Sequence, residues 1–195
     1  MLKGEKMIFV QTPRLLLRKV REEDYPYFQN YLMDKEMDRM MLRTPCETEA
    51  DVRLGFEWFL YKEERVYVIV HKETGATIGN LTVYNHVPES VAAQETVKGQ
   101  KGKSLSFAMS PAFRHQGFML EAVRGVMERL FLDEKADYIN CGYLSYNAPS
   151  KALQEKLGFS YLLTERFTYD GREMEAVENI LKRTTWEASW KSSMS

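Results

Sequence analysis

Apolar residues recur along this chain with two periods, and the changes of period predict its elements. Leu15-Leu16-Leu17, held between Arg14 and Arg18, reads as a first strand. Glu22-Glu23-Asp24 then opens a helix with acids in its first turn, where the helix dipole favours them. Tyr25, Phe28 and Leu32 follow at helical spacing. Thr48 is a suitable N-cap with Asp51 three residues on, and Val52, Phe56, Phe59 and Leu60 share one face of a second helix. Both aromatic stripes are expected to face a core. Beyond Glu63-Glu64 the period shortens: Val66 to His71 is a strand, Glu73-Thr74-Gly75 a tight turn, and Ala76 to Tyr84 the return strand. The polar stretch Pro88 to Lys103, with Gly99 and Gly102, reads as a long loop, either a substrate-side flap or a longer hairpin connection.

The second half alternates strands and helices. Leu105 to Met109 is a strand ended by Ser110-Pro111; Arg114 to Gly117 is a turn; Phe118 to Leu132 is an amphipathic helix. Tyr138 to Leu144 is the next strand. Asn147 can cap a helix from Ala148 to Leu157, with Gly158 as a stop. Asp170-Gly171 signals a hairpin between Phe159–Thr168 and Glu173–Arg183. The expected fold class is mixed α/β (α+β), a central sheet flanked by about four helices.

At 195 residues the chain suits one domain, placed at 8–186 with a polar tail over 187–195. Lys+Arg 27 against Asp+Glu 28 gives a formal net charge of −1, which argues against a protein built mainly to bind nucleic acid. No apolar run approaches the roughly 18 residues of a membrane span. The opening Met1–Lys6 is charged and lacks the apolar stretch of a secretory signal. Cys46 and Cys141 lie far apart without metal spacing and read as reduced, ordinary residues. A cytoplasmic protein without a metal is the expectation.

Chemistry concentrates in Ser110-Pro111-Ala112-Phe113-Arg114-His115-Gln116-Gly117-Phe118-Met119-Leu120-Glu121-Ala122. A strand runs into a turn and then a helix, whose first amides lack internal partners and favour an anion. Gly117 permits close approach, and Arg114 can add a charged hydrogen bond. The stretch lacks the Gly-Lys-Ser/Thr ending of a Walker A loop. Taken alone, it is a weak signal for a phosphate site, because many ordinary strand–turn–helix joints carry Arg and Gly for structural reasons.

Arg114-x-x-Gly117-x-Met119 resembles the Arg/Gln-x-x-Gly-x-Gly/Ala signature of the GCN5-related N-acetyltransferase (GNAT) superfamily. Thr12-Pro13-Arg14-Leu15-Leu16-Leu17-Arg18 with Glu22-Glu23-Asp24, Ile78-Gly79-Asn80-Leu81, Gly117 to Ala122, Asn147-x-x-Ser150 and Glu155-Lys156-Leu157-Gly158-Phe159 resemble elements of its ribosomal-protein N-terminal acetyltransferase (RimJ/RimL-like) branch. They occur in the branch's order over roughly residues 12 to 185.

The resemblance implies the GNAT fold, with a mostly antiparallel central sheet. It also implies acetyl transfer from acetyl-CoA to a primary amine, a protein N-terminus or a small amine, by direct attack in a ternary complex. Backbone groups at Ala108 and Met109 would pair with the pantetheine arm and acetyl group. The turn of Arg114, His115, Gln116, Gly117, Phe118 and Met119 would cradle the pyrophosphate. Asn147 would bond the cofactor's amide chain, and the Ser150 hydroxyl would protonate the leaving thiolate; helix capping is the plainer reading of both residues. Four departures stand out: Met119 replaces a small residue, Gln154 stands where many members carry a catalytic tyrosine, and Leu162 and Ser104 stand where the branch often has Glu. The general base is therefore open among Glu95, Tyr84, His115 and a water relay, and Glu95 stands beside Ser150 as a catalytic candidate. A non-catalytic CoA-binding or regulatory module and a domain binding another phosphate ligand remain as alternatives. Monomer and homodimer both suit such a fold.

Overall fold

The computed structural model describes residues 8–61 and 65–193; the charged opening Met1–Lys6 and the Glu63-Glu64 boundary lie outside them. Among the described residues eight strands form one sheet in the order β1-β2-β3-β4-β5-β6-β8-β7. They are β1 (Ile8–Gln11), β2 (Leu15–Lys19), β3 (Arg65–His71), β4 (Thr77–Tyr84), β5 (Gly102–Met109), β6 (Tyr138–Leu144), β7 (Ser160–Tyr169) and β8 (Arg172–Lys182). The sheet is mostly antiparallel, with β5 and β6 paired in parallel from Gly102↔Tyr138 to Ser104↔Asn140. The described residues group into two compact units: one runs up to Val83 and adds Phe107–Gly125, and the other joins Tyr84–Ser106 to Val126 onward.

In the first unit, α1 (Tyr25–Leu32), α2 (Lys35–Met41) and α3 (Glu49–Tyr61) accompany β1 to β4. The two aromatic stripes do face a core, where Phe28, Val52 and Phe56 are fully buried with Val66 and Val68 of β3. Thr48 and Asp51 open α3 by exchanging bonds: the Asp51 amide donates to Thr48 Oγ1 at 3.1 Å, and the Thr48 amide to Asp51 Oδ2 at 2.9 Å. Glu22–Asp24 is a separate 3₁₀ turn before α1. Its last acid points inward: Asp24 is buried and accepts from Arg18 Nη1 (2.7 Å), Arg18 Nη2 (3.0 Å) and Thr77 Oγ1 (2.6 Å). Such a buried pair is tolerated because its lone pairs are filled.

In the second unit, the long loop expected from Pro88 to Lys103 is a folded segment. A one-turn helix α4 (Glu89–Ala92) is followed by further turns, and β5 begins at Gly102. Val91 and Val97 anchor it among Tyr138 and Ile180. Two apolar side chains are enough to hold a polar stretch, which composition alone conceals. Then follow β6, α6 (Ala148–Lys156), β7, β8 and α7 (Arg183–Ser193). The hairpin predicted at Asp170-Gly171 forms with Tyr169↔Arg172 as its last pair, and both turn residues have positive φ. The last long helix before β6, α5 (Phe118–Leu132), begins in the first unit and ends in the second.

Among the described residues seven α-helices stand where about four helices were expected. The additional ones are short or polar: α2, α4, and α7, which occupies most of the stretch read as a tail. Asp34 starts α2 by accepting from the Glu36 and Met37 amides at 2.9 and 3.2 Å. In α7, Trp186 packs on Phe131 with ring centroids 5.1 Å apart.

Candidate active site

The turn between β5 and α5 is shaped by unusual backbone and by one cation–carboxylate clamp. His115 has φ 62° and Gly117 φ 79°, both left-handed. A non-glycine residue held there stores strain of the kind found at functional turns. The His115, Gln116 and Gly117 amides have no acceptor among the described residues, and those of Phe118, Met119 and Leu120 open α5 without intrahelical partners. Six consecutive N–H groups are thus available around one bend.

Arg14 pins this bend. Its Nε donates to Glu121 Oε2 at 2.6 Å, its amide to Glu121 Oε1 at 2.9 Å, and its Nη1 to the Gln116 carbonyl at 3.1 Å. The guanidinium also lies 4.4 Å from the Phe118 ring centroid. Thr12 Oγ1 donates to Glu121 as well, at 2.5 Å. Burial alone would raise the Glu121 carboxyl, but the bonds from Thr12 and Arg14 outweigh it and hold it below the ordinary carboxylate value. Glu121 is therefore a fixed anion belonging to the clamp. The sequence places Arg14 at a strand boundary and in the Thr12–Arg18 motif, but no local spacing announces a partner on α5.

Arg114 is the first residue of the same turn. Its Nε donates to the Met109 carbonyl at 3.1 Å, and Nη1 lies 3.6 Å from Glu36 Oε2. Its Nη2 is buried with no hydrogen-bond partner among the described residues. An orphaned guanidinium nitrogen is costly to bury and suits an anionic ligand. Ala108 is buried one residue earlier; a Cβ on Gly79 would stand 2.7 Å from its carbonyl, so the IGNL stretch approaches β5 backbone to backbone.

In the second unit, the start of α6 holds Asn147 and Ser150. Asn147 caps the helix, its Oδ1 accepting from the Ser150 amide at 3.1 Å. The Ser150 hydroxyl oxygen accepts from Gln154 Nε2 at 3.2 Å, and Gln154 Oε1 accepts from Asn179 Nδ2 at 2.9 Å. Gln154 is completely buried. A parallel chain joins Ser104 to Asn140 (2.9 Å) and Asn140 to Glu178 (2.7 Å), and burial pushes the Glu178 carboxyl up.

The candidate bases fall in different surroundings. Glu95 is 84% exposed and pairs with Lys98 at 3.0 Å. The Tyr84 hydroxyl lies 3.3 Å from Ser106 Oγ. His115 is exposed on the turn. No three metal-ligating side chains cluster among the described residues, and no helix there is long and apolar enough to cross a membrane.

Residues 14–160 match the family described as the Acetyltransferase (GNAT) domain. No curated protein matches the sequence significantly. Solved structures share the fold at low identity. An acetyltransferase of the GNAT family from Bacillus anthracis is 16% identical, with 91% of this chain and 99% of that chain covered at a TM-score of 0.77. A GCN5-related N-acetyltransferase from Brucella melitensis is 15% identical over 96% and 83%, at 0.75. Spermidine N-acetyltransferase from Vibrio cholerae, solved with CoA and spermine, is 16% identical over 90% and 99%, at 0.69.

Proposed function

Because this chain belongs to the acetyltransferase (GNAT) family, we propose that it transfers an acetyl group from acetyl-CoA to a primary amine. The observation that carries the reading is the bend from Arg114 to Met119, with its unpaired amides and orphaned Arg114 Nη2. These donors fit a pyrophosphate: fixed N–H groups cost little to organise and complement spread negative charge. Glu121 does not oppose the ligand, since Arg14 already neutralises it.

Acetyl-CoA supplies an activated thioester. The chain's part is to bind, orient and move protons. The turn holds the diphosphate end, and amides at Ala108 and Met109 receive the pantetheine arm and the charge that builds on the carbonyl oxygen. Asn147 bonds the amide chain, and Ser150 returns a proton to the departing sulfur. Holding donor and acceptor together replaces an encounter in solution by a positioned attack. The attacking nitrogen must first lose its ammonium proton.

The acceptor class is a primary amine, either a protein N-terminus, which the RimJ/RimL-like motifs favour, or a small amine of the kind named for the Vibrio cholerae enzyme. The setting is cytoplasmic. A non-catalytic CoA-binding module of the same fold is the second reading, favoured by Gln154 in the usual tyrosine position.

Calorimetry with acetyl-CoA and CoA tests the binding step. Wild type is expected to bind both, and Gly117→Glu neither, because its side chain fills the diphosphate space with like charge. Gly117→Ala carries the same backbone cost, about 1–2 kcal/mol, without the charge, and is expected to retain binding. Arg114→Ala should weaken CoA more mildly. No binding at millimolar concentration overturns the proposal. Thiol release with peptide, polyamine, aminoglycoside and amino-acid pools then separates enzyme from module; turnover of any amine dismisses the latter.

A further inference from the structure

We propose that Gln154 is a positioning residue that fixes the Ser150 hydroxyl as a proton donor; the inference rests on the acetyl-transfer reading. A serine hydroxyl can donate one hydrogen bond and accept two, and its rotation ordinarily leaves both options open. At the start of α6 that freedom is removed from the accepting side. Gln154 lies one helical turn beyond Ser150, and its Nε2 donates to Ser150 Oγ at 3.2 Å. The amide is held in this sense because its other end, Oε1, accepts from Asn179 Nδ2 at 2.9 Å. Gln154 and Asn179 are buried, at 0% and 6% exposure, so water does not compete for either group. With its oxygen engaged as an acceptor, Ser150 must direct its O–H elsewhere.

The consequence is one of polarity. A nitrogen donor at position 154 makes Ser150 give its proton outward, whereas a carboxylate there would take that proton inward. The catalytic step balances simply: the Ser150 O–H proton passes to the sulfur as the carbon–sulfur bond breaks, and Ser150 is reprotonated by the proton the amine releases, through solvent. Gln154 touches neither substrate nor sulfur and acts only through Ser150.

The test compares kcat, KM and melting temperature for wild type, Ser150→Ala, Gln154→Glu and the double variant, with an amine that the wild type acetylates. Ser150→Ala and Gln154→Glu are each expected to lower kcat by about 10²-fold or more, with the KM for acetyl-CoA little changed. In the Ser150→Ala background, Gln154→Glu should cost nothing further in kcat. Asn179→Asp provides the second variant should Gln154→Glu not fold. Its carboxylate only accepts, so Gln154 turns its Nε2 toward it and presents Oε1 to Ser150, and kcat should fall as in Gln154→Glu. An equal loss with and without Ser150, or a lower melting temperature with normal kcat, overturns the proposal. Wild-type protein that binds acetyl-CoA but acetylates no amine overturns the reading it rests on, and this inference with it.

Discussion

Glu121 accepts from the Thr12 hydroxyl, the Arg14 amide and the Arg14 guanidinium, so three donors meet one carboxylate at the first turn of α5. Its carboxyl is held below the ordinary value of 4.5. A depressed folded-state pKa adds stability that is complete above the unfolded value and lost as pH falls through the folded one. Glu121→Ala is therefore expected to lower stability at pH 7 by about 1–2 kcal/mol, a charged-bond cost reduced by the half-exposed Arg14. The difference from wild type should begin to narrow below about pH 4.5 and shrink further as pH falls through the lower folded-state value. Melts at pH 7 and at about pH 3 check it; a gap that does not shrink would show that the bonds do not depend on the charge. The motif around Arg114 and Gly117 was legible because its residues are neighbours in the chain. The clamp was not, because Arg14 and Glu121 lie 107 positions apart and meet only after folding.

Among the elements, those with sustained periodicity were read correctly from the chain, and those held by one or two contacts were not. Helices α3 and α5 carry four or more apolar positions on a face, and β3 is a near-continuous apolar run, so pattern and packing agree. Segment 85–101 shows no period, yet Val91 and Val97 are fully buried. Each sits where a polar stretch dips into the cluster of Tyr138 and Ile180. Val97→Ala is expected to cost about 2 kcal/mol, the lost methyl transfer plus a small cavity. Glu95→Ala, two residues away and exposed, should stay within about 0.5 kcal/mol. Urea unfolding of both variants decides the matter: equal midpoints would mean the segment is a loop after all. The cap at Asn147 was readable for the opposite reason, since capping chemistry is local and its partner, the Ser150 amide, is three residues on.

At the scale of the whole molecule, the ordered motifs made the fold class legible over most of the chain, while the division into two units left no mark in composition. The division follows the path of the backbone rather than a linker: the first unit loses the chain after Val83 and regains it at Phe107. A fragment ending at Val83 would lack Glu121, Ala108 and the end of β5. It is expected to show little native circular dichroism, whereas a fragment carried to Leu132 adds every missing partner of Arg14 and should recover more. Native-like spectra from the shorter piece would show that Phe107–Gly125 is dispensable.

The same path sets a schedule during synthesis. When β4 has left the ribosome, the strand that covers its free edge and the helix that fastens Arg14 have not been made. At 5–20 residues per second, the wait until Gly125 is added lasts about 2–8 s. For that interval β4 is an uncovered edge, open to pairing with another nascent chain. The rate of translation through Tyr84–Gly125, rather than the stability of the finished protein, then governs how much of it escapes aggregation.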